Sequence, residues 1–259
     1  MLYLLLLSKY FLWLITYSFL GWAYESAVCS VSERNLVNRG FLNGPVCPVY
    51  GFGALTAIYF LHQRTDNIII LFLAGMLLTC TVEYITAVLL ESLFHAKWWD
   101  YSHKRFNLQG RVCLLGAVVF GALSVLLIRV IHPFVERLTD RLPDFALIAC
   151  AAFIFIAVTL DLSVTVRHML LLNGRLEEIQ SAFNRFVEQS AKRAEGLKNA
   201  LLDRFEESEF YSERVRKLIN LNKFQDIRLA RAFPRLKSFK YDDAWQKLKS
   251  KLLSTDKNG

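Results

Sequence analysis

The stretch IIILFLAGMLLTCTVEYITAVLLESLF, residues 68–94, decides the fold class of this chain. Its only charged residues are Glu83 and Glu91. About 20 apolar residues cross the ~30 Å hydrocarbon core of a bilayer, at a helical rise of about 1.5 Å per residue. Lipid offers the backbone no hydrogen-bond partner, and the stretch lacks the alternation of a barrel strand. It therefore predicts a membrane-spanning helix.

Four further apolar segments flank this helix on both sides. They cover roughly residues 4–28, 49–61, 112–131 and 145–166. The segment 49–61 is short for a span, unless the preceding GPVCP segment enters the membrane in a broken conformation. The sequence thus predicts an all-α, polytopic membrane helix bundle of about five spans.

The composition excludes several other classes of protein. Of the 259 residues, 54% are hydrophobic and 21% charged, with a mean hydropathy of +0.31. Soluble domains lie near 45–50% apolar and about 25% charged. A single soluble globule and a disordered chain are therefore excluded. The five cysteines are odd in number and form no CxxC pair, so a disulfide scaffold is not expected either.

The charge is concentrated in the last third of the chain. Residues 1–166 hold 11 basic and 10 acidic residues, whereas residues 167–259 hold 20 and 13. We therefore predict a transmembrane domain over 1–168 and a basic amphipathic helical tail over 169–259. By the positive-inside rule the tail is cytoplasmic, and five spans then place the N-terminus outside. The chain is expected in the cell membrane, with the lipid bilayer as its environment.

The tail suggests contacts with partners. Apolar residues recur at helical spacing over 173–222, which predicts a long amphipathic helix for homo-oligomer or partner-subunit contacts. The basic segment 235–253 either lies on anionic lipid or packs its apolar face on a neighbouring helix. That face consists of Leu236, Trp245, Leu248 and Leu252. No nucleic-acid partner is expected, because acids are interspersed with the bases.

Several acidic residues lie within the predicted spans. Such charges cost about 2.5–3.5 kcal/mol on insertion scales, so they are usually paired or functional. With the predicted topology these acids share the cytoplasmic half of the membrane with Arg39, Asp100 and Arg111 of the adjacent loops. The acids are Glu25, Glu83, Glu91 and Asp161. One polar cluster follows, serving either as ion pairs that close the bundle or as a pocket for a substrate or head group.

Two polar segments border this cluster. Segment 38–53 is rich in Gly and Pro, carries Asn38 and Arg39, and is predicted to be broken and re-entrant or interfacial. A helix that begins after Pro48 would direct its N-terminal amides to an anion there. The interfacial loop 95–112 adds Trp99, Asp100, Asn107 and Arg111. Its histidines, His95 and His103, have no fixed spacing, so we expect neither a metal nor a cofactor.

Four blocks of sequence resemble the ABC-transporter type IV membrane proteins of bacteria. They read SFLGWAYES, NRGFLNGPVCPVYGFGA, TVEYITAVLLE and WWDYSHKRFNLQGRVCL, and they cover about residues 18–121. The resemblance implies a multi-pass protein labelled a permease. The motif residues are Glu25, Asn38, Arg39, Gly40, Gly44, Pro45, Pro48, Tyr50, Gly51, Glu83, Trp99, Asp100, Asn107, Gly110 and Arg111.

Three functional hypotheses follow. The first is a transporter-like or permease-like component whose inner-half cluster binds an anionic solute or a lipid head group. Arg39 and Arg111 would bind the anion, while Glu25, Glu83 and Asp100 would orient them or carry protons. The second is a membrane-anchored scaffold that uses the C-terminal helix. The third is a lipid-modifying enzyme, although no GxSxG, HExxH or Walker A motif is present and no catalytic residue is predicted.

Overall fold

The computed structural model describes residues 1–34, 37–191 and 223–256. These residues form two compact units. The first contains Met1–Leu89 and Trp99–Thr165, and the second contains Leu90–Trp98 and the described residues from Val166 onward. Helices α3 (Ile68–Phe94) and α6 (Asp144–Ala191) contribute to both units.

The first unit is a bundle of apolar helices, as the sequence predicts. They are α1 (Leu2–Glu33), α2 (Pro48–Leu61), the first part of α3, α4 (Leu114–Leu126), a π-helix (Leu127–Ile131), α5 (His132–Asp140) and the first part of α6. Four stretches in the described residues are long and apolar enough to cross a membrane: Leu2–Val31, Ile68–Phe94, Leu114–Asp140 and Asp144–Arg185.

Large apolar side chains on these helices are exposed within the chain. Phe145 and Phe153 are 84% and 75% exposed, and Leu77 and Leu160 more than half. In water such a surface would be unfavourable, whereas against acyl chains it costs nothing. The all-α polytopic membrane bundle predicted from sequence is confirmed.

The predicted second span, residues 49–61, corresponds to a short helix, and non-helical backbone precedes it. Helix α2 has 14 residues, which cover about 21 Å and fall short of a ~30 Å core. The non-helical residues 37–47 precede it and lie along α1: Val37 N–H donates to Ser30 Oγ, Arg39 N–H to Ser26 Oγ, and Cys47 N–H to the Ser18 carbonyl.

Together, segment 37–47 and α2 therefore follow α1 from Ser30 to the core cluster that contains both Trp13 and Leu61. That is about 26 Å of helix axis at 1.5 Å per residue. The α1 serines satisfy backbone N–H groups that lipid could not satisfy. Since α2 begins at Pro48, the predicted broken segment 38–53 is non-helical only as far as Cys47.

Helices α1 and α2 approach closely because both carry glycine at the contact. A Cβ on Gly51 would collide with Ser18 Oγ and the Leu14 carbonyl, and one on Gly21 would collide with the Tyr50 ring. Small residues at a helix contact allow such an approach in membranes. The contact at Gly21 lays the Tyr50 ring on α1, one turn before Glu25.

The fourth apolar segment, predicted as 112–131, continues as a helix beyond its predicted end. The chain remains helical through the π-helix and α5 to Asp140, so Arg137 lies on a helix and not in a loop. Pro133 is tolerated because it stands in the first turn of α5.

The second unit holds a core of its own. Strand β1 (Ala96–Lys97) pairs antiparallel with β4 (Lys237–Ser238), and Trp98 packs edge-to-face on Phe233 at 5.0 Å between ring centroids. Helices α7 (Lys223–Ala232) and α8 (Asp242–Asp256) complete it. Residues 192–222, most of the predicted partner-binding helix 173–222, lie outside the described residues.

Two features of this unit refine the sequence analysis. Leu236, Trp245, Leu248 and Leu252 are all buried, which favours the packed helix for 235–253 over one lying on anionic lipid. The buried Asp226 accepts hydrogen bonds from Arg175 Nη2 on both oxygens at 2.7 Å, and His168 Nε2 lies 3.1 Å from its Oδ1. The positions of His168, Arg175 and Asp226 along the sequence do not predict that these residues are in contact.

Candidate functional site

The centre of the site is the carboxylate of Glu25, on the last third of α1. Its Oε2 accepts a hydrogen bond from Arg39 Nε at 3.1 Å, and its Oε1 accepts one from the Tyr50 hydroxyl at 2.7 Å. Two helices and the non-helical segment thus meet at one side chain. The ion pair is about three-quarters buried on the arginine side.

Asn38 fixes the segment that carries Arg39. Its Oδ1 accepts a hydrogen bond from Trp22 Nε1 at 2.6 Å, and its Nδ2 donates to the Asn43 carbonyl at 2.8 Å. The Arg39 backbone is held by Ser26, as described above. Consequently the guanidinium reaches Glu25, one residue before Ser26 on α1.

A second carboxylate, Glu83 of α3, belongs to the same cluster. It is buried, accepts a hydrogen bond from the Tyr101 hydroxyl and interacts electrostatically with Glu25. Burial raises the pKa of the Tyr101 phenol, the nearby Glu83 and Glu25 carboxylates and Cys113 raise it further, and Arg39 lowers it. We call Glu25, Arg39, Tyr50, Glu83 and Tyr101 the Glu25 cluster.

Cys47 borders the Glu25 cluster at the start of α2. Its thiol interacts electrostatically with both Glu25 and Arg39. None of the five cysteines, all of which the structure describes, forms a disulfide.

Asp161, the intramembrane acid of α6, anchors the turn before α2. Its Oδ1 accepts hydrogen bonds from the backbone N–H of Asn43 at 3.1 Å and from Asn43 Nδ2 at 2.9 Å, and its Oδ2 accepts the Gly44 N–H at 2.8 Å. A carboxylate that accepts three donors is compensated for its burial. Asp161 thereby serves to hold the non-helical segment.

The predicted loop residues of the first unit gather around a short hairpin. Strands β2 (Asn107–Leu108) and β3 (Val112–Cys113) pair antiparallel. Trp99 Nε1 donates to the Arg111 carbonyl at 2.9 Å, and Asn107 Oδ1 accepts the Gly110 N–H at 2.9 Å. These contacts shape the turn itself.

The two polar side chains at the ends of this loop have local partners. Asp100 caps the turn through Ser102, whose N–H it accepts at 3.0 Å. Arg111 Nη1 donates to the Tyr84 hydroxyl at 3.1 Å and to Gln109 Oε1, and its guanidinium stacks over the Tyr84 ring.

The nine predicted site residues therefore divide into two groups. Glu25, Arg39, Tyr50 and Glu83 form the cluster, with Asn38 beside it. The hairpin group contains Trp99, Asp100, Asn107 and Arg111. Glu91 belongs to the second unit. Tyr101 was missed as a cluster member, because its position between tryptophan and histidine residues is equally typical of an aromatic belt.

Fold and site together define a polytopic helical membrane protein with a partly buried cluster of carboxylates, tyrosines and one guanidinium. The family described as "Putative ABC-transporter type IV" has a model that matches residues 12–166. The chain belongs to that family, as its sequence motifs indicate. No curated protein and no solved structure matches it. At this level the chain is a transporter-like membrane protein.

Proposed function

We propose that the chain is a membrane component of a transport system in which the Glu25 cluster binds a proton or a cationic solute. The observation that carries the proposal is the electrostatic interaction of Glu25 with Glu83, with Arg39 paired to Glu25, in a bundle of membrane-length helices. Intramembrane ionisable groups typically mark substrate or proton pathways.

The charge of the cluster favours a cation. With both carboxylates ionised, Glu25 and Glu83 carry two negative charges against the one positive charge of Arg39. The two carboxylates interact with each other, so a shared proton or a bound cation relieves their repulsion. The hydroxyls of Tyr50 and Tyr101 can orient such a ligand from either side.

The anionic ligand expected from the sequence has less support. The Arg39 guanidinium is bound by Glu25, and an anion would have to displace that carboxylate. It would also approach the negative charge of Glu83. The Arg111 guanidinium stacks on Tyr84. A phosphate or head group therefore requires a rearrangement of ion pairs that a cation does not require.

The test is a ligand screen on the full chain in detergent, with thermal unfolding as the readout. Organic amines and inorganic cations are compared with phosphate, carboxylates and anionic lipids of matched size. We expect stabilisation by one or more cationic compounds, and its loss in Glu83→Gln. Glu91→Gln, on the same helix but outside the cluster, is the matched control and retains the stabilisation.

The outcomes separate the alternatives. Stabilisation by anions only, abolished by Arg39→Gln, would replace the cationic ligand by an anionic one. Binding unaffected by Glu25→Gln, Arg39→Gln and Glu83→Gln, all correctly folded, would make the cluster a set of structural ion pairs. Mass spectrometry of co-purified compounds identifies the ligand where one is retained.

We also propose an outside N-terminus and a cytoplasmic C-terminus. The support is the course of segment 37–47 and α2 along α1, which together cover the depth of a fifth crossing. Five crossings leave the termini on opposite sides. Fusing a reporter that is active only in the cytoplasm to each end tests this. Activity at the C-terminus alone is expected, and activity at both ends contradicts it.

A further inference from the structure

Two histidines and a glutamate meet where α2 ends and α5 begins. His62 follows the last residue of α2, His132 is the first residue of α5, and Glu136 lies one turn later. One ring nitrogen from each histidine and one carboxylate oxygen lie within 4.8 Å of one another. His62 and His132 are 70 positions apart, and no motif in the sequence links them.

One ring nitrogen of His132 has a hydrogen-bond partner, as is usual for a metal-binding histidine. It is 1% exposed, and its Nδ1 lies 2.8 Å from the Tyr17 hydroxyl. This contact leaves Nε2 as the nitrogen for a ligand, in the way that an outer partner fixes the tautomer and ring orientation of a metal-bound histidine. The π-helix Leu127–Ile131 immediately precedes His132, and single π-helical turns occur frequently at functional sites.

His62 has a buried ring nitrogen without a hydrogen-bond partner among the described residues. Its Nε2 is inaccessible to solvent and makes no hydrogen bond to any described residue. It points towards Glu136, with 3.9 Å between Nε2 and Oε2, and its ring meets that of His132 at 4.6 Å between centroids. A buried nitrogen without a partner costs about 1–3 kcal/mol, which a bound ion would recover.

The charges around the site permit a cation. Lys9 Nζ binds Asp140 Oδ1 at 2.6 Å and lies 4.0 Å from Glu136 Oε1. Asp140 thus neutralises the charge of Lys9. The two carboxylate oxygens of Glu136 face different residues: Oε1 lies near Lys9, and Oε2 lies on the side of His62.

We propose that His62, His132 and Glu136 bind a divalent transition-metal ion of the zinc class. Two imidazoles and one carboxylate suit zinc and its neighbours, whereas magnesium and calcium prefer oxygen ligands. Ligand atoms of a tetrahedral zinc ion lie about 3.4 Å apart. Side-chain rotations that move the three ligand atoms by about 1 Å would bring them to that separation. Water or a solute would supply the fourth ligand of a tetrahedral ion. None of these residues belongs to the Glu25 cluster, so the inference stands apart from the proposed function.

The test uses the full chain, purified in detergent without a histidine tag and stripped with a chelator. Bound metal is measured by mass spectrometry after incubation with Zn²⁺ and removal of the excess. We expect about one Zn²⁺ per chain. We also expect a Co²⁺ complex with the intense visible absorption of four-coordinate cobalt, and no retention of Mg²⁺.

Variants place the ion. His62→Gln and Glu136→Gln should each weaken Zn²⁺ binding at least tenfold, and Tyr17→Phe, which leaves the three ligands in place, should weaken it less. His103→Gln removes an exposed histidine outside the site and should bind as the parent does. A parent chain that retains no zinc, or equal losses in His62→Gln and His103→Gln, overturns the proposal. The cobalt spectrum of the parent chain decides the matter even if a ligand variant fails to fold.

Discussion

Glu25 and Arg39 form an ion pair with 3.1 Å between Oε2 and Nε, although 14 positions separate them and the chain between them leaves its helix. The pair ties the last third of α1 to the non-helical segment that leads into α2. Because Tyr50 of α2 binds the other oxygen of Glu25, one carboxylate sets the position of three parts of the chain.

Replacing Tyr50 by Phe tests this carboxylate. The variant removes a hydrogen bond to a charged group, which contributes about 1.5–3 kcal/mol. We expect the free energy of unfolding in mixed micelles to fall by about that amount. Tyr59→Phe is the control, since Tyr59 lies on the same helix and is 66% exposed. Equal free energies of unfolding for the two variants would show that the hydroxyl of Tyr50 does not stabilise the folded protein.

Gly51→Ala should separate α1 from α2. The new methyl group would meet Ser18 Oγ and the Leu14 carbonyl, and such overpacking costs about 1–3 kcal/mol. Gly53→Ala, two residues on, places its Cβ 3.7 Å from Thr79 Cγ2, an ordinary contact, and should be tolerated. Thermal unfolding of both variants in detergent measures the difference. A Gly53 variant less stable than the Gly51 variant would contradict the packing.

Ser26→Ala should destabilise the packing of segment 37–47 on α1. The substitution removes the acceptor of the Arg39 N–H in a part-buried position, at a cost of about 1–3 kcal/mol. Ser163→Ala is the matched control, because its hydroxyl is exposed and binds only a carbonyl of its own helix. Thermal unfolding of both variants in detergent is the measurement. The Ser26 variant should unfold at the lower temperature, and equal unfolding temperatures would argue against the contact.

Tyr101→Phe should change how stability depends on alkaline pH. The pKa of Tyr101 is raised from 10.0, chiefly by burial, so the folded state favours the neutral phenol. This contribution is complete below pH 10 and is lost as the pH rises above it. We expect the parent chain to lose stability more steeply than Tyr101→Phe above about pH 10. Parallel curves for the two proteins would contradict the burial of the phenol.

Asp226→Asn should unfold the second unit selectively. The buried Arg175 guanidinium would then face a neutral amide, and breaking a buried pair costs about 3–5 kcal/mol. Asp242→Asn, in the first turn of α8, loses a helix-dipole interaction of up to about 1 kcal/mol and an attraction to the partly exposed Lys249. Hydrogen exchange of α7 and α8 distinguishes the two variants. Protection unchanged in Asp226→Asn would exclude a role for the pair in this unit.

Parts of the candidate site could be predicted because burial of charge is visible in a sequence. Glu25 and Glu83 interrupt apolar runs, where an ionised group needs a partner, and Arg39 stands in the adjacent loop. Asp161 was expected in the same cluster for the same reason. Its carboxylate instead binds Asn43 and Gly44, whose backbone N–H groups lie outside a helix and therefore lack an intrahelical acceptor.

The sequence by itself determined the membrane class and most helix positions. An apolar run such as 68–94 has one solution in lipid, since only a helix satisfies its own backbone there. Tertiary structure alone decided which side chains meet. The pairing of His62 with His132, the contact of Gly51 with Ser18 and the course of segment 37–47 along α1 depend on distances between remote positions, which no local periodicity specifies.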